Sequence, residues 1–275
     1  MLEAQELLNN LGVILKLAEN AGQAILQTYE QKDLDLTLKP DLSPLTRADS
    51  IAHELITAGL NALQPALPVL SEESKLIAYE ERQQWITYWL VDPLDGTKEF
   101  LKRNGQFTTN IALVQRGEPV LGVIHAPALG LSYYAAKGHG AYKKRASGSP
   151  VAITVRRGLT GPPRVAVSRS HSSEALPQFL EALQEYEELS IGSSLKFCLI
   201  AEGTADLYPR LGPTMEWDTA AGQCIVETAG GSVTDLQGNR LRYNKRSLFN
   251  PHFVASGGDG NRIKSSAPAC TYNNG

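Results

Sequence analysis

Three cysteines in 275 residues, Cys198, Cys224 and Cys270, are too few and too irregularly spaced for a disulfide framework or a thiolate metal site. They predict free thiols in a reducing, cytoplasmic setting. Basic charge is not in excess either. The 26 lysines and arginines face 29 aspartates and glutamates, and the net charge of −3 excludes an electrostatic footprint for double-stranded nucleic acid or anionic lipid. An anionic ligand must therefore be held by local groups. No apolar run approaches the roughly 18 residues of a membrane span, so no integral membrane contact is expected, and only loose peripheral association with the inner membrane face stays open. The first segment, MLEAQELLNNLGVILKLAEN, carries Glu3 and Glu6 where an export signal would be positive, and its leucines recur at helical spacing. It predicts a helix of the mature protein.

What is present is a chain 42% hydrophobic, enough for a large core in one domain or two packed lobes. Residues 4 to 30 predict an amphipathic helix with Leu7, Leu8, Leu11, Leu15, Ala18 and Ile25 on one face. After the turn-rich LKPDLSPLTRAD, Thr46 and Asp49 form a capping-box pattern that opens a second helix carrying Ile51, Leu55, Ile56 and Leu60. From Val69 to Val155 short extended runs dominate, WITYWLV, FTTNIALV, PVLGVIHA, LSYYAA and VAITV, and predict a mostly antiparallel sheet. Beyond Pro163 the pattern alternates: RVAVSRS, a helix near Glu174 to Tyr186, a Gly-Ser turn, a helix from Leu195, DLYPR, and a helix from Asp218 to Ala229. The expected organisation is an N-terminal α+β lobe over 1–157, a C-terminal α/β lobe over 158–257 and a disordered tail over 258–275.

The chemistry concentrates in VDPLDGTKEF, at the end of a buried-type strand. Asp92 and Asp95 flank Pro93 and Leu94, so one turn can aim both carboxylates and the Leu94 carbonyl at one point. Like charges so close call for a cation, and an oxygen-only donor set suits magnesium or another hard divalent ion. A bare pair at this spacing is often only a solvated face, as Glu185 and Glu188 are read here to be on a helix. Gly96 and Thr97 strengthen the functional reading, because glycine permits close backbone approach and a helix start offers N–H groups to a phosphate. Further acids stand in SEES, where Glu72 or Glu73 is either a ligand or an exposed loop residue, and in EWDTAAGQ, where Asp218 either caps its helix or joins the cluster. Asp41, Thr46 and Asp49 fit turn and cap chemistry.

In this order the segments resemble the lithium-sensitive, magnesium-dependent phosphatase superfamily of inositol monophosphatases, fructose bisphosphatases and bisphosphate nucleotidases. WLVDPLDGTKEF and WDTAAGQCIVETAGG carry the likeness, which runs over about residues 2 to 256. KEF after DGT, RNGQFTTNIAL, SRSH and GSSLKFCLIAEGTADLYPR narrow it to the CysQ-type 3′(2′),5′-bisphosphate nucleotidases. The resemblance implies a two-lobe α+β fold, a layered αβαβα sandwich, with two or three magnesium ions bound by Glu72, Asp92, the Leu94 carbonyl, Asp95 and Asp218. It implies that Asp41 and Thr97 orient and deprotonate a water, and that Glu72, Leu94, Asp95, Gly96, Thr97 and Asp218 face the substrate. Gly192 to Lys196, including Ser194, and Tyr208 and Arg210 would neighbour the nucleoside and 5′-phosphate. Lys196 and Arg210 read equally as helix-surface charges, and Tyr208 as a half-buried strand residue. SRSH lacks the context of a hydrolase triad. The implied activity is release of the 3′-phosphate from adenosine 3′,5′-bisphosphate in sulfate assimilation and nucleotide recycling, with a small nucleotide as partner and no nucleic acid. The alternatives are an inositol- or sugar-phosphate phosphatase on the same scaffold and a catalytically inactive nucleotide-binding module.

Overall fold

In the computed structural model, which describes residues 4–31, 37–38, 44–75, 77–158, 161–170 and 173–258, the first helix follows its sequence period. In α1 (Ala4–Tyr29), Leu7, Leu11, Ile14, Ala18, Ala21 and Ile25 are buried, a 4-3-4-3-4 stripe. That spacing turns Leu8, one position off the stripe, out to 43% exposure, and leaves Leu15 only partly covered. A short antiparallel pair, β1 (Thr37–Leu38) and β2 (Pro44–Leu45), leads into α2 (Arg47–Asn61). The expected capping box forms: the Thr46 N–H and hydroxyl both donate to Asp49 Oδ2, at 2.7 and 2.6 Å. On α2, Ile56 and Leu60 are buried while Leu55 faces solvent.

Seven strands then form the first sheet. They are β3 (Val69–Ser71), β4 (Thr87–Asp95), β5 (Thr108–Gln115), β6 (Glu118–Ala126), β7 (Leu131–Ala136), β8 (Gly140–Arg145) and β9 (Val151–Ile153), adjacent in that order. Only β3 with β4 is a parallel pair. Two short helices flank β4, α3 (Tyr79–Arg82) before it and α4 (Thr97–Leu101) after it. The second sheet runs in the order β11-β10-β12-β14-β13, built from β10 (Arg164–Ser168), β11 (Glu187–Ile191), β12 (Leu207–Arg210), β13 (Ser232–Asp235) and β14 (Phe253–Ser256). Its helices are α5 (Leu176–Glu181), α6 (Leu195–Ala201) and α7 (Glu216–Thr228).

Three cores hold five layers together, the middle one filling both gaps around α6 and α7. Ile14 and Ile56 of α1 and α2 pack with Trp89, Val91 and Leu121 on one face of the first sheet. Phe197 and Ile225 of α6 and α7 fill the space between Tyr88 and Leu90 of the first sheet and Tyr208 and Phe253 of the second. Phe179 and Leu180 of α5 cover Val165 and Leu207 on the outer face. Burial of each such side chain contributes about 1.5–3 kcal/mol, and the result is the α+β, αβαβα stack that the resemblance implied. One glycine sets the spacing of the middle layer: a Cβ on Gly122 of β6 would lie 2.6 Å from the Ala221 carbonyl oxygen of α7.

The second half departs from the sequence reading in its details. The helix expected over Glu174 to Tyr186 is only Leu176–Glu181, and Gln184 at φ 64° turns the chain into β11. Glu185 and Glu188 are solvent-facing as expected, but on that turn and an edge strand rather than on a helix. Strands β8, β11, β13 and β14 were not anticipated. Cys198 and Cys224 are buried free thiols, and no described helix is long and apolar enough to cross a membrane. Asp41, His171, Cys270 and the expected tail from 259 onward lie outside the described residues.

Candidate functional site

The site starts at an irregularity in β4. Its register against β5 shifts between Asp92 and Asp95, because Pro93 has no N–H for the ladder. Asp92 Oδ1 accepts the Leu94 N–H at 3.1 Å, and the Thr109 hydroxyl donates to the Pro93 carbonyl at 2.9 Å, so the bulge is held from both sides. Gly96, at φ 88°, then reverses the chain into α4, where a side chain would also crowd Ser193. The Thr97 hydroxyl lies 3.5 Å from the Leu94 carbonyl.

Three carboxylates from three places in the chain meet at this bulge. Glu72 follows β3, Asp92 ends the regular part of β4, and Asp218 sits in the first turn of α7; one oxygen of each lies within 4.8 Å of the others. Asp218 also caps its helix, accepting the Met215 N–H at 2.9 Å, so both readings of that residue hold together. Burial raises the Asp92 pKa well above the ordinary aspartate range, and Glu72, Asp95, Asp218 and Asp49 push it further. Asp218 is raised in the same way by burial, Asp95 and Glu72, against the Met215 N–H and Arg210. An all-oxygen acidic cluster that is electrostatically unfavourable on its own fits a hard divalent cation.

Asp95 stands apart from the tight trio. Its Oδ2 accepts the Ser193 hydroxyl at 2.8 Å and the Ser194 N–H and hydroxyl, both at 2.6 Å. The Ser194 hydroxyl also lies 3.1 Å from the Asp218 carbonyl and accepts Asn110 Nδ2 at 2.9 Å. Ser194 thus joins the β4 bulge to the start of α7.

A cleft of about 680 Å³ opens over the cluster, lined also by Thr97, Lys98, Ser168, Lys196, Tyr208 and Arg210. Lys196 is not a surface charge. It is 3% exposed, donates to the Ser193 carbonyl at 2.6 Å, and lies over the Tyr208 ring at 5.3 Å. Burial lowers its pKa to about 8, against the attraction of Asp95. Tyr208 is a core residue of β12, edge-on to Phe197 and Phe253, with a face taken by Lys196. Arg210 is partly exposed and donates to the Pro213 carbonyl at 2.9 Å.

The structure therefore gathers Glu72, Asp92, Leu94, Asp95, Gly96, Thr97, Ser194, Lys196, Tyr208, Arg210 and Asp218 around one cleft. Asp49 was read only as a cap, yet it is buried and its charge bears on Asp92. Its place in a capping box hid its electrostatic effect on the acidic cluster. Ser193 and Asn110 were missed as individual residues, since a Gly-Ser turn and a strand asparagine carry no chemical signature alone.

A layered α+β stack with an oxygen-donor cluster lining a cleft defines a scaffold suited to metal-assisted chemistry on an anionic substrate. The chain belongs to the inositol monophosphatase family, whose model matches residues 8–265; that family is metal-dependent, and the acidic trio is where an ion could be held. The chain is 54% identical over 242 residues to the 3′(2′),5′-bisphosphate nucleotidase CysQ of Salmonella typhimurium, covering 87% of this chain and 96% of that one. Against CysQ of Shigella flexneri it is 52% identical over 248 residues, covering 90% and 99%. The crystal structure of CysQ from Bacteroides thetaiotaomicron matches with a TM-score of 0.81 at 42% identity, covering 91% of this chain and 97% of that one. An IMPase of Thermotoga maritima matches at a TM-score of 0.78 and 24% identity, covering 94% and 96%, a likeness of fold alone.

Proposed function

We propose that this protein is a magnesium-dependent phosphatase that removes the 3′-phosphate from adenosine 3′,5′-bisphosphate, giving AMP and phosphate in nucleotide recycling and sulfate assimilation. The observation that carries the reading is the convergence of Glu72, Asp92 and Asp218 at a cleft that Lys196 and Arg210 also line. Relatives 52–54% identical and named 3′(2′),5′-bisphosphate nucleotidases support the substrate.

Glu72, Asp92, Asp95, Asp218 and the Leu94 carbonyl would hold two or three magnesium ions. Bound there, magnesium would neutralise phosphate charge and lower the pKa of a water. The chain's own groups do the rest. The backbone of Gly96 and Thr97, opening α4, orients the phosphate. The Thr97 hydroxyl holds the attacking water, and Asp41 takes its proton in the role the resemblance assigns. Asp49, buried and close enough to act on Asp92, competes with Asp41 for that role. In the same cleft, Lys196 and Arg210 attract the second phosphate, and Ser194 keeps Asp95 in line with α7. The enzyme is taken to be cytoplasmic.

Phosphate release from a panel of adenosine 3′,5′-bisphosphate, its 2′,5′ isomer and inositol 1-phosphate, with magnesium and with or without lithium, tests this. The 3′,5′ nucleotide should be turned over fastest, with inhibition by lithium. A preference for inositol 1-phosphate would overturn the assignment.

A further inference from the structure

Asp218 reaches the acidic trio from α7, whereas Glu72 and Asp92 reach it from the first sheet, so the separation of these elements sets the geometry of the ion site. We propose that the segment Tyr243 to Asn250 is a strap that fixes this separation, with Asn244, Lys245 and Asn250 as positioning residues for Asp218. The proposal rests on the metal-site reading above.

The strap grips the start of α7 at two points. Asn250 Nδ2 donates to the Met215 carbonyl at 2.6 Å and lies 3.1 Å from the Thr219 hydroxyl, while the Met215 N–H donates to Asp218 itself. The residue whose N–H orients the Asp218 carboxylate is therefore also held, through its own carbonyl, by Asn250. The second grip is Glu216, a fully buried carboxylate that accepts the Asn244 N–H at 2.7 Å, the Lys245 N–H at 3.0 Å and the Lys245 ammonium at 2.6 Å. Charge-assisted bonds of this kind are stronger and more directional than neutral ones.

At its other end the strap is tied to the entry of β4. Asn244 exchanges side-chain and backbone bonds with Arg82: Arg82 Nη1 donates to Asn244 Oδ1 at 2.9 Å, and Asn244 Nδ2 donates to the Arg82 carbonyl at 2.6 Å. Arg82 closes α3, directly ahead of the strand that carries Asp92, and is itself buried. Asn244 sits at φ 64°, a left-handed conformation that asparagine adopts more readily than most residues. Neither Arg82, Asn244, Lys245 nor Asn250 lines the cleft. Their contribution is to geometry and not to substrate contact. Outer partners of metal ligands are typically worth about 10–100-fold in metal affinity.

The test is a titration with manganese as the paramagnetic probe, following free Mn2+ by electron paramagnetic resonance, alongside activity at graded magnesium. Asn250→Ala and Lys245→Met should each weaken Mn2+ binding about tenfold or more, while kcat at saturating magnesium and KM for the nucleotide stay within a few-fold of wild type. Ile14→Val, a mild core change on α1, is the control for general destabilisation and should leave Mn2+ affinity unchanged. Strap variants that lose thermal stability yet bind Mn2+ as tightly as wild type would overturn the proposal. If one variant does not fold, the other decides. The Asp92→Asn variant separates the two readings: wild type that binds no Mn2+, or binding that survives Asp92→Asn, removes the metal site and the strap's role with it, whereas failure of the strap variants alone leaves the metal site standing.

Discussion

Replacing Asp92 by Asn should abolish turnover and at the same time stabilise the metal-free protein. Asp92 is 1% exposed, and oxygens of Glu72 and Asp218 lie within 4.8 Å of its own. At an effective dielectric constant of about 20, each such pair of charges repels by roughly 3 kcal/mol. Proton uptake limits what the fold must bear, to about 1.4 kcal/mol per pH unit above the ordinary aspartate value near 4. The gain from the neutral isostere at pH 7 is therefore about 1–4 kcal/mol. The sign follows from the raised pKa: the folded protein holds the proton more tightly than the unfolded chain, so the penalty is absent near pH 4 and grows as pH rises. Thermal melts in a chelator should place the Asn variant above wild type at pH 7, by roughly 2–4 °C per kcal/mol, with the two converging toward pH 4. Added magnesium should reverse the order by stabilising only wild type. An Asn variant less stable than wild type at pH 7 without metal would refute the reasoning, as would near-normal activity.

Three further outcomes follow from the same geometry. Above pH 8 Lys196 loses its charge, so KM for the doubly phosphorylated nucleotide should climb between pH 7 and 9, and a pH–KM profile of Lys196→Met should lack that rise. Ser194→Ala removes the hydroxyl shared by Asp95, Asn110 and the Asp218 carbonyl, and should lower kcat/KM about 10–100-fold at fixed magnesium with partial recovery at high magnesium. Asp49→Asn should cost only about 1 kcal/mol of stability as a weakened helix start but lower kcat by more than tenfold; steady-state rates at matched folded fractions separate the two effects.

The strand-end acids and the two long amphipathic helices were legible because each has a local signature, period, caps and the Asp-Pro-Leu-Asp turn, whereas the layered architecture came from the family resemblance. Leu8 and Leu55 were misassigned because neighbouring apolar residues share a coarse helical wheel, and only packing selects which faces the sheet. Strand β8, GAYKKR, and strand β11, EELSI, were hidden by charge, since an edge or half-exposed strand need not be apolar. The convergence of Asp218 with Asp92 came from likeness alone: 126 positions of chain separate them, and no local pattern encodes that meeting. Lys196 was ambiguous because a lysine in a helix is usually solvated, and its burial depends on the Ser193 carbonyl and the Tyr208 ring, neither of which its neighbours in sequence announce.

The middle layer of the stack belongs to both sheets at once. Helix α7 comes from the second half of the chain, yet its backbone rests on Gly122 of the first half and its apolar side chains fill the space between the halves. Either half expressed by itself would leave a wide greasy surface uncovered, so neither is a portable module, and a chain nicked near residue 158 should stay associated as two pieces until both melt together.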